Sequence, residues 1–331
     1  MTPENRAIAV DEILAQVGQA GAPADRVLAA YTRSRRYIGS GDRRAIADMV
    51  WSRLRAMPTP PWLAEKVPPK LLDALLQPAT ADFIVTSGSR DKITALHPQF
   101  AATPYSPIGV RAGSRVNMRN LPGVPIQPQD ESSQIAAVLC DAQPEHKILD
   151  YCAGAGGKSL ALSVLMNGKG TVFAYDIDRV RLETLKKRLR AAGVENVKIA
   201  KSIGMYDRFI IDAPCSGSGV WRRAPDARFR LTPEKLDGYA QTQAGLLNLA
   251  ARHTLPGGRI VYMTCSVLEC ENEAHIEPFL RENPGFSAID MRKLWAENFA
   301  KDYPGTRGDC LRLDPLSTQT DGFFIAVFQR A

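Results

Sequence analysis

Cys215 and Cys265 are the residues of this 331-residue sequence whose setting points most directly to chemistry. Cys215 stands in Asp212-Ala213-Pro214-Cys215-Ser216-Gly217-Ser218-Gly219, and Cys265 in Tyr262-Met263-Thr264-Cys265-Ser266. Each closely follows an apolar, strand-forming run, Phe209-Ile210-Ile211 before the first and Arg259-Ile260-Val261-Tyr262 before the second. In an open parallel sheet ligands bind outside the carboxyl ends of the strands, so both thiols reach one crevice. Two thiols there, with a carboxylate three residues ahead of one, suit covalent catalysis on an electrophilic ring. Free cysteines more commonly serve as small buried hydrophobes. The strand-to-loop position of both sets this pair apart.

A second candidate is the turn Cys152-Ala153-Gly154-Ala155-Gly156-Gly157-Lys158, which follows the apolar run ending at Asp150. A glycine-rich turn between a strand and a helix exposes backbone N–H groups at a helix amino end and admits a nucleotide-like cofactor. A phosphate-binding loop fails, because its first glycine falls on Cys152. A dinucleotide fingerprint has Ser159 where its third glycine or alanine belongs. S-adenosylmethionine tolerates a looser turn, with its ribose held by an acid at the end of the second strand, where Asp176 stands. Taken alone, the turn serves equally well as a structural feature.

The elements that must position these residues follow from the texture of the chain. Residues 5–55 carry apolar positions at helical spacing, among them Ile8, Ile13, Val17, Val27, Tyr31, Ile46, Val50 and Leu54, broken at Gly21-Ala22-Pro23 and Ile38-Gly39-Ser40-Gly41. That predicts an all-α domain over 1–57. Residues 58–126 form a linker and small α+β region, with a helix near 71–76 and strands near 83–85 and 108–110. From 127 to 331 apolar runs alternate with amphipathic stretches, the pattern of an α/β, Rossmann-like parallel sheet. Its strands are expected at 147–150, 171–175, 197–199, 209–211 and 259–263, with a late antiparallel strand at 323–328. Helices are expected at 132–139, from the turn at 154–158 through 165, and at 180–192, 239–254 and 271–282.

The net charge of +7 comes from arginine clusters, notably Arg33, Arg35, Arg36, Arg43, Arg44, Arg53 and Arg55, and Arg222, Arg223, Arg228 and Arg230. Such clusters attract a polyanion. The six cysteines form no C-x-x-C pair and lack accompanying histidine spacing, so no metal site is expected. No apolar run approaches the roughly 20 residues that span a bilayer. A reducing, cytoplasmic setting and a monomer are expected.

Methylation of cytosine at carbon 5 is one chemistry for which Asp212, Cys215 and Cys265 supply a set of groups. That carbon is a poor nucleophile until a thiolate adds at carbon 6, and the charge that develops near ring nitrogen 3 needs a stabilising donor. The runs Ile148 to Lys158, Asp212 to Asp226, and Thr264-Cys265-Ser266 with Glu271-Asn272-Glu273 resemble the RsmB/Sun family of RNA 5-methylcytosine methyltransferases. Gln129 to Gln134 and Thr320 to Phe324 extend the likeness over about 127–330. The resemblance implies a class I methyltransferase catalytic domain acting on RNA, ribosomal RNA foremost, with transfer RNA as an alternative substrate. It implies Cys265 as nucleophile, Cys215 as the residue assisting product release, and Asp212 beside cofactor and base. Cys152, Ala153, Gly154, Ala155, Gly156, Gly157, Lys158, Asp176 and Asp212 carry over as contacts to S-adenosylmethionine. The amino-terminal helices resemble the NusB-like RNA-binding extension of some members.

Two departures stand out. Gly154-Ala155 replaces the family's usual Ala-Pro, and Ala200-Lys201-Ser202 follows the third strand where an acid normally contacts adenine. Ser202 or a backbone group substitutes for that acid, or cofactor affinity falls. A DNA cytosine methyltransferase would put its nucleophile in the Pro-Cys motif, at Cys215. A noncatalytic RNA-binding or ribosome assembly factor is the reading from another class; retention of both cysteines and Asp212 argues against it.

Overall fold

The computed structural model describes residues 1–113, 116–118 and 121–331. Three helices come first. Thr2 caps α1 (Pro3–Ala20) by accepting from the Asn5 N–H, and Gly21, at φ 58°, ends it in the left-handed conformation. α2 (Ala24–Ser34) and α3 (Ser40–Ala56) complete a bundle around Val10, Ile13, Val27, Tyr31, Ile46, Val50 and Leu54. Next, α4 (Pro61–Ala64) and α5 (Pro69–Leu75) bury Leu63, Val67 and Leu75 against Trp221, Leu231, Val267 and Leu268, residues of the two cysteine segments.

A small antiparallel sheet follows, built from β1 (Ala81–Val85), β2 (Phe100–Ala102), β3 (Gly109–Ala112) and β4 (Ile126–Pro128) in the order β2-β3-β1-β4, with α6 (Arg90–Leu96) across it. Arg111 ties this sheet to the next region. Its guanidinium meets Asp82 at 2.7 Å and Glu131 at 3.1 Å, both carboxylates being buried.

The remaining chain forms the large sheet. Its elements are α7 (Glu131–Val138), β5 (Lys147–Asp150), α8 (Gly157–Leu165), β6 (Thr171–Ala174), α9 (Arg179–Ala191), β7 (Val197–Ile199), β8 (Tyr206–Asp212), α10 (Ala227–Arg230), α11 (Pro233–His253), β9 (Thr254–Thr264), α12 (Ile276–Glu282), β10 (Phe286–Ala288), α13 (Met291–Asn298), β11 (Leu311–Leu313) and β12 (Phe323–Arg330). Strand order is β10-β12-β9-β8-β5-β6-β7, with β11 beside β12. β9, β8, β5, β6 and β7 are mutually parallel, and β12 is antiparallel to β9. One face buries Ile148, Leu162, Val172, Ile210 and Val261; the other buries Leu149, Phe209, Ile211, Leu247 and Ile260. That split is the period-two alternation of strands covered on both sides.

The expected sheet is present with longer strands. β8 and β9 extend beyond 209–211 and 259–263 because pairing carries them on, through a register irregularity between Tyr206 and Arg208. α11 starts at Pro233, not near 239, since the Thr232 hydroxyl caps it by accepting from the Lys235 N–H. The helix expected over 271–282 is α-helical only from Ile276; short 3-10 turns occupy Glu269–Glu271 and Glu273–His275, because the Glu271 and Asn272 side chains are engaged elsewhere. Among the described residues no helix is long and apolar enough to cross a membrane.

Candidate active site

The turn after β5 is shaped by left-handed glycines. Gly154 has φ 54° and Gly156 φ 82°, conformations that a side chain would strain. At Gly156 a Cβ would also meet Leu185 Cγ at 2.6 Å, so this glycine lets α9 close against the turn. Asp176, at the end of β6, accepts from the Gly154 N–H at 2.8 Å through Oδ2 and from the Asp178 N–H at 2.7 Å through Oδ1. Each carboxylate oxygen keeps a further lone pair, enough to accept from a diol. A cavity of about 620 Å³ lies over the turn, lined among others by Cys152, Ala153, Gly154, Ala155, Gly157, Lys158, Asp176 and Asp212. Its size suits a nucleoside-sized ligand. Tyr151 and Tyr175, stacked at 4.8 Å, form part of its wall.

The two cysteines stand at the same cavity. Register pairs Asp212 of β8 with Met263 of β9, so both chains leave the sheet side by side. Ala213 N–H donates to the Met263 carbonyl at 2.9 Å, and Gly219 N–H to the Cys265 carbonyl at 3.0 Å. Cys215 Sγ and Cys265 Sγ end 3.4 Å apart. The hydrogen bond to Cys265, with burial next, pushes the Cys215 thiol well up. Gly219 packs so tightly on Gly322, at the entry to β12, that its N–H and carbonyl serve Cys265 and Gly322 in turn.

The wall of the same cavity holds an ion pair between buried Lys158 and half-buried Asp212. Lys158, 6% exposed, donates from Nζ to Asp212 Oδ2 at 2.7 Å and to Ser133 Oγ at 3.3 Å, and its ammonium sits 4.8 Å from the centre of the Phe323 ring. Burial opposes the lysine charge, but the Asp212 carboxylate outweighs it and the net shift is upward. Asp150, fully buried at the end of β5, is pushed up to about 6 by burial, with Ser159 Oγ donating to it at 2.6 Å and opposing the shift.

Cys215, Cys265, Asp212, Lys158, Asp176 and the glycine turn therefore share one crevice. Gly156 does not line it and acts through backbone shape, and Ser202 is absent from its wall. Lys158, expected as a cofactor contact, turns its ammonium toward Asp212. The arginines of the basic clusters divide in the structure between structural contacts and exposed positions. Arg228 is fully buried and donates to the carbonyls of Leu54 and Met57, closing the end of α3 on the catalytic body. Arg222 donates to Thr320 and Pro78 carbonyls, while Arg223, Arg230 and Arg53 pair with carboxylates. Arg35 lies over the Tyr31 ring. Arg33, Arg36, Arg43 and Arg44 remain exposed, as does Tyr37, at 73%. Sequence reasoning missed Ser133, which lines the cavity and lay inside a quoted motif, and it missed two residues that brace the Cys215 loop: Glu271, also inside a quoted motif, accepts from the Ser216 N–H at 2.8 Å, and Gln243, with no signal beyond its place on a helix, donates to the Pro214 carbonyl at 2.8 Å.

A Rossmann-like methyltransferase catalytic domain is the class that this sheet, turn and crevice define. The family model described as 16S rRNA methyltransferase RsmB/F matches residues 137–329, more than half of the sequence, and the chain belongs to that family. It is 33% identical over 236 residues to ribosomal RNA small subunit methyltransferase B of Salmonella newport (strain SL254), covering 67% of this chain and 52% of that protein. It is 33% identical over 218 residues to a 28S rRNA (cytosine-C(5))-methyltransferase of Mus musculus, covering 61% and 46%. The chain spans about half the length of the curated relatives it matches. The crystal structure of NSun6 from Pyrococcus horikoshii with SFG superposes with a TM-score of 0.68 at 18% identity, covering 84% of this chain and 97% of that one; the likeness is one of fold.

Proposed function

We propose that the chain transfers a methyl group from S-adenosylmethionine to carbon 5 of a cytosine in RNA, with ribosomal RNA the substrate its relatives' names favour. The observation that carries this reading is the pair of sulfurs 3.4 Å apart at the rim of the cavity formed by the glycine turn and Asp176. The donor set fits the cofactor. Asp176 offers carboxylate oxygens for ribose hydroxyls, and the turn offers close backbone approach. When bound, the cofactor supplies the electrophilic methyl group.

The remaining work falls to this chain's own residues. Cys265 adds its sulfur to cytosine carbon 6, which makes carbon 5 nucleophilic. Lys158, anchored on Asp212, places a cation in the crevice where negative charge develops on the ring, and in a partly water-excluded site that charge acts strongly. Release passes the carbon 5 proton to solvent water and breaks the carbon 6–sulfur bond, its electron pair returning to Cys265, and Cys215, 3.4 Å from that sulfur, assists the expulsion. A base inside a helix has to be unstacked to meet the thiol, so a loop or junction cytosine suits the site. Exposed Arg33, Arg36, Arg43 and Arg44 offer phosphate contacts, and exposed Tyr37 a stacking surface, in the amino-terminal region.

The test is methyl transfer from labelled cofactor into RNA lacking this modification, with the product base identified after nuclease digestion. Label recovered as 5-methylcytosine supports the reading. RNA binding without label under any condition would favour the noncatalytic assembly role.

A further inference from the structure

Over its 13 residues α9 carries six cations and one carboxylate, a net +5 in a chain whose total is +7. Leu182, Leu185 and Leu189 form its buried stripe, packed with Ala153 and Ala174. The cations divide between the two flanks of that stripe. On one flank Arg181 lines the catalytic cavity, and Arg188 donates to Gln127 Oε1 at 2.9 Å and to the Ala155 carbonyl at 3.4 Å, fastening the helix to the glycine turn. On the other, Arg179, Lys186 and Arg190 stand at i, i+7 and i+11, one row of the helix surface, with Lys187 beside them. Lys186 pairs with Glu183 at 2.7 Å. Arg179, Lys187 and Arg190 are exposed and make no ion pair among the described residues.

The helix's own stability does not account for this arrangement. Arg179 and Arg181 occupy the first turn, which holds no acid, at the end where the macrodipole favours negative charge. Lys186 and Arg190 are like charges at i, i+4, a repulsive spacing. Only Arg188 and Arg190, in the last turn, lie where the dipole favours a cation. A surface with this self-repulsion is neutralised best by a polyanion. From Arg179 to Arg190 the helix runs about 16 Å, a length over which a nucleic-acid strand presents several phosphates. Arg222, Arg223, Arg228 and Arg230 are by contrast occupied in holding the chain together.

We propose that the outer face of α9 is a docking surface for the phosphodiester backbone of the RNA substrate, with Arg179, Lys187 and Arg190 as phosphate contacts. Charge complementarity and continuity carry the inference: Arg181 of the same helix lines the catalytic cavity, so RNA entering the crevice there passes the start of α9. The inference rests on the RNA reading of the active site for its partner. Phosphate contacts fix register and orientation but read no sequence, so this face positions the RNA without choosing the cytosine.

The test compares two triple variants by fluorescence anisotropy, with an RNA hairpin carrying cytosines in its loop as the probe, over a range of potassium chloride concentrations. One variant is Arg179→Gln, Lys187→Gln and Arg190→Gln; the other removes the same charge from exposed positions on α11, α12 and α13, as Arg252→Gln, Arg281→Gln and Lys293→Gln. In the α9 variant the slope of log affinity against log salt falls by about 2–3 and low-salt affinity drops at least about tenfold, while the second variant stays within about twofold of the parent. A parental slope in the α9 variant, or equal losses in both variants, would overturn the proposal. Acetylation of lysines in the unmodified protein, read peptide by peptide by mass spectrometry, needs no variant: the hairpin protects Lys187 and leaves Lys293 reactive. Lys187 left unprotected, or protected by polyglutamate and not by the hairpin, would also overturn it, the latter marking a face for an acidic protein. A hairpin that binds through α9, with no RNA methylated under any condition, would strike the enzymatic reading alone.

Discussion

Gly219→Ala probes how the fold sets the distance between the sulfurs. A Cβ on Gly219 would lie 2.0 Å from the Gly322 carbonyl oxygen and 2.7 Å from Gly322 Cα, and all of these neighbours are backbone. Restoring ordinary van der Waals separation requires a shift of about 1.4 Å, and no side-chain rotation supplies it. Two hydrogen bonds oppose that shift, Gly219 N–H to the Cys265 carbonyl at 3.0 Å and Gly322 N–H to the Gly219 carbonyl at 2.9 Å. Overpacking of this kind costs about 1–3 kcal/mol, and weakening two backbone bonds adds about 1 kcal/mol each. A net loss of about 3–5 kcal/mol lowers the melting temperature by roughly 4–7 °C, since an unfolding entropy of about 2.1 cal/mol/K per residue grows with chain length. Because Gly219 carries the Cys265 carbonyl, the displacement also separates the sulfurs, and misplacing a reacting group by about 1 Å costs on the order of 100-fold in rate. The assay is a circular dichroism melt beside single-turnover adduct formation at a temperature where the variant is folded. A Gly219→Ala protein that melts within about 1 kcal/mol of the parent and forms adduct at the parental rate would refute the reasoning.

Other consequences are simpler to state. Arg228→Met removes the donor that holds the Leu54 and Met57 carbonyls, and should destabilise the chain by about 3 kcal/mol, read as an earlier loss of the amino-terminal helices in limited proteolysis. Asp150 has its carboxyl raised by burial to about 6, so the folded state prefers the protonated form; its contribution to stability is fully present below the unfolded value near 4 and is lost as pH rises through 6. Asp150→Asn should therefore narrow the difference in denaturation midpoint between pH 5 and pH 8, and an unchanged difference would count against that assignment. Asp176→Ala should weaken S-adenosylmethionine binding at least tenfold in isothermal titration, since a lost charge-assisted hydrogen bond is worth about 1.5–3 kcal/mol.

Much of this site was legible in the sequence because its parts are local. The glycine turn, Asp176, Asp212 and both cysteines each announce themselves by residue type at a strand end, and the parallel sheet follows from alternating apolar and amphipathic runs. The arginines were another matter. Arg228 and Arg222 read as polyanion contacts by composition, yet they close helix and loop ends far away in sequence, which only the packed chain decides. Glu271 was similarly hidden. Its sequence context reads as the start of a helix, and the local pattern says nothing of two serines 55 and 5 residues away. Short elements such as α4, α6, β2, β10 and β11 carry too few residues for periodicity to show, and their form comes from the surfaces they cover.

The central claim concerns which sulfur attacks. Incubating the protein with cofactor and RNA, then separating covalent complexes on a denaturing gel, measures it directly. With Cys265 as nucleophile, Cys215→Ala accumulates an RNA adduct and Cys265→Ala forms none. An adduct that persists in Cys265→Ala and disappears in Cys215→Ala would contradict it.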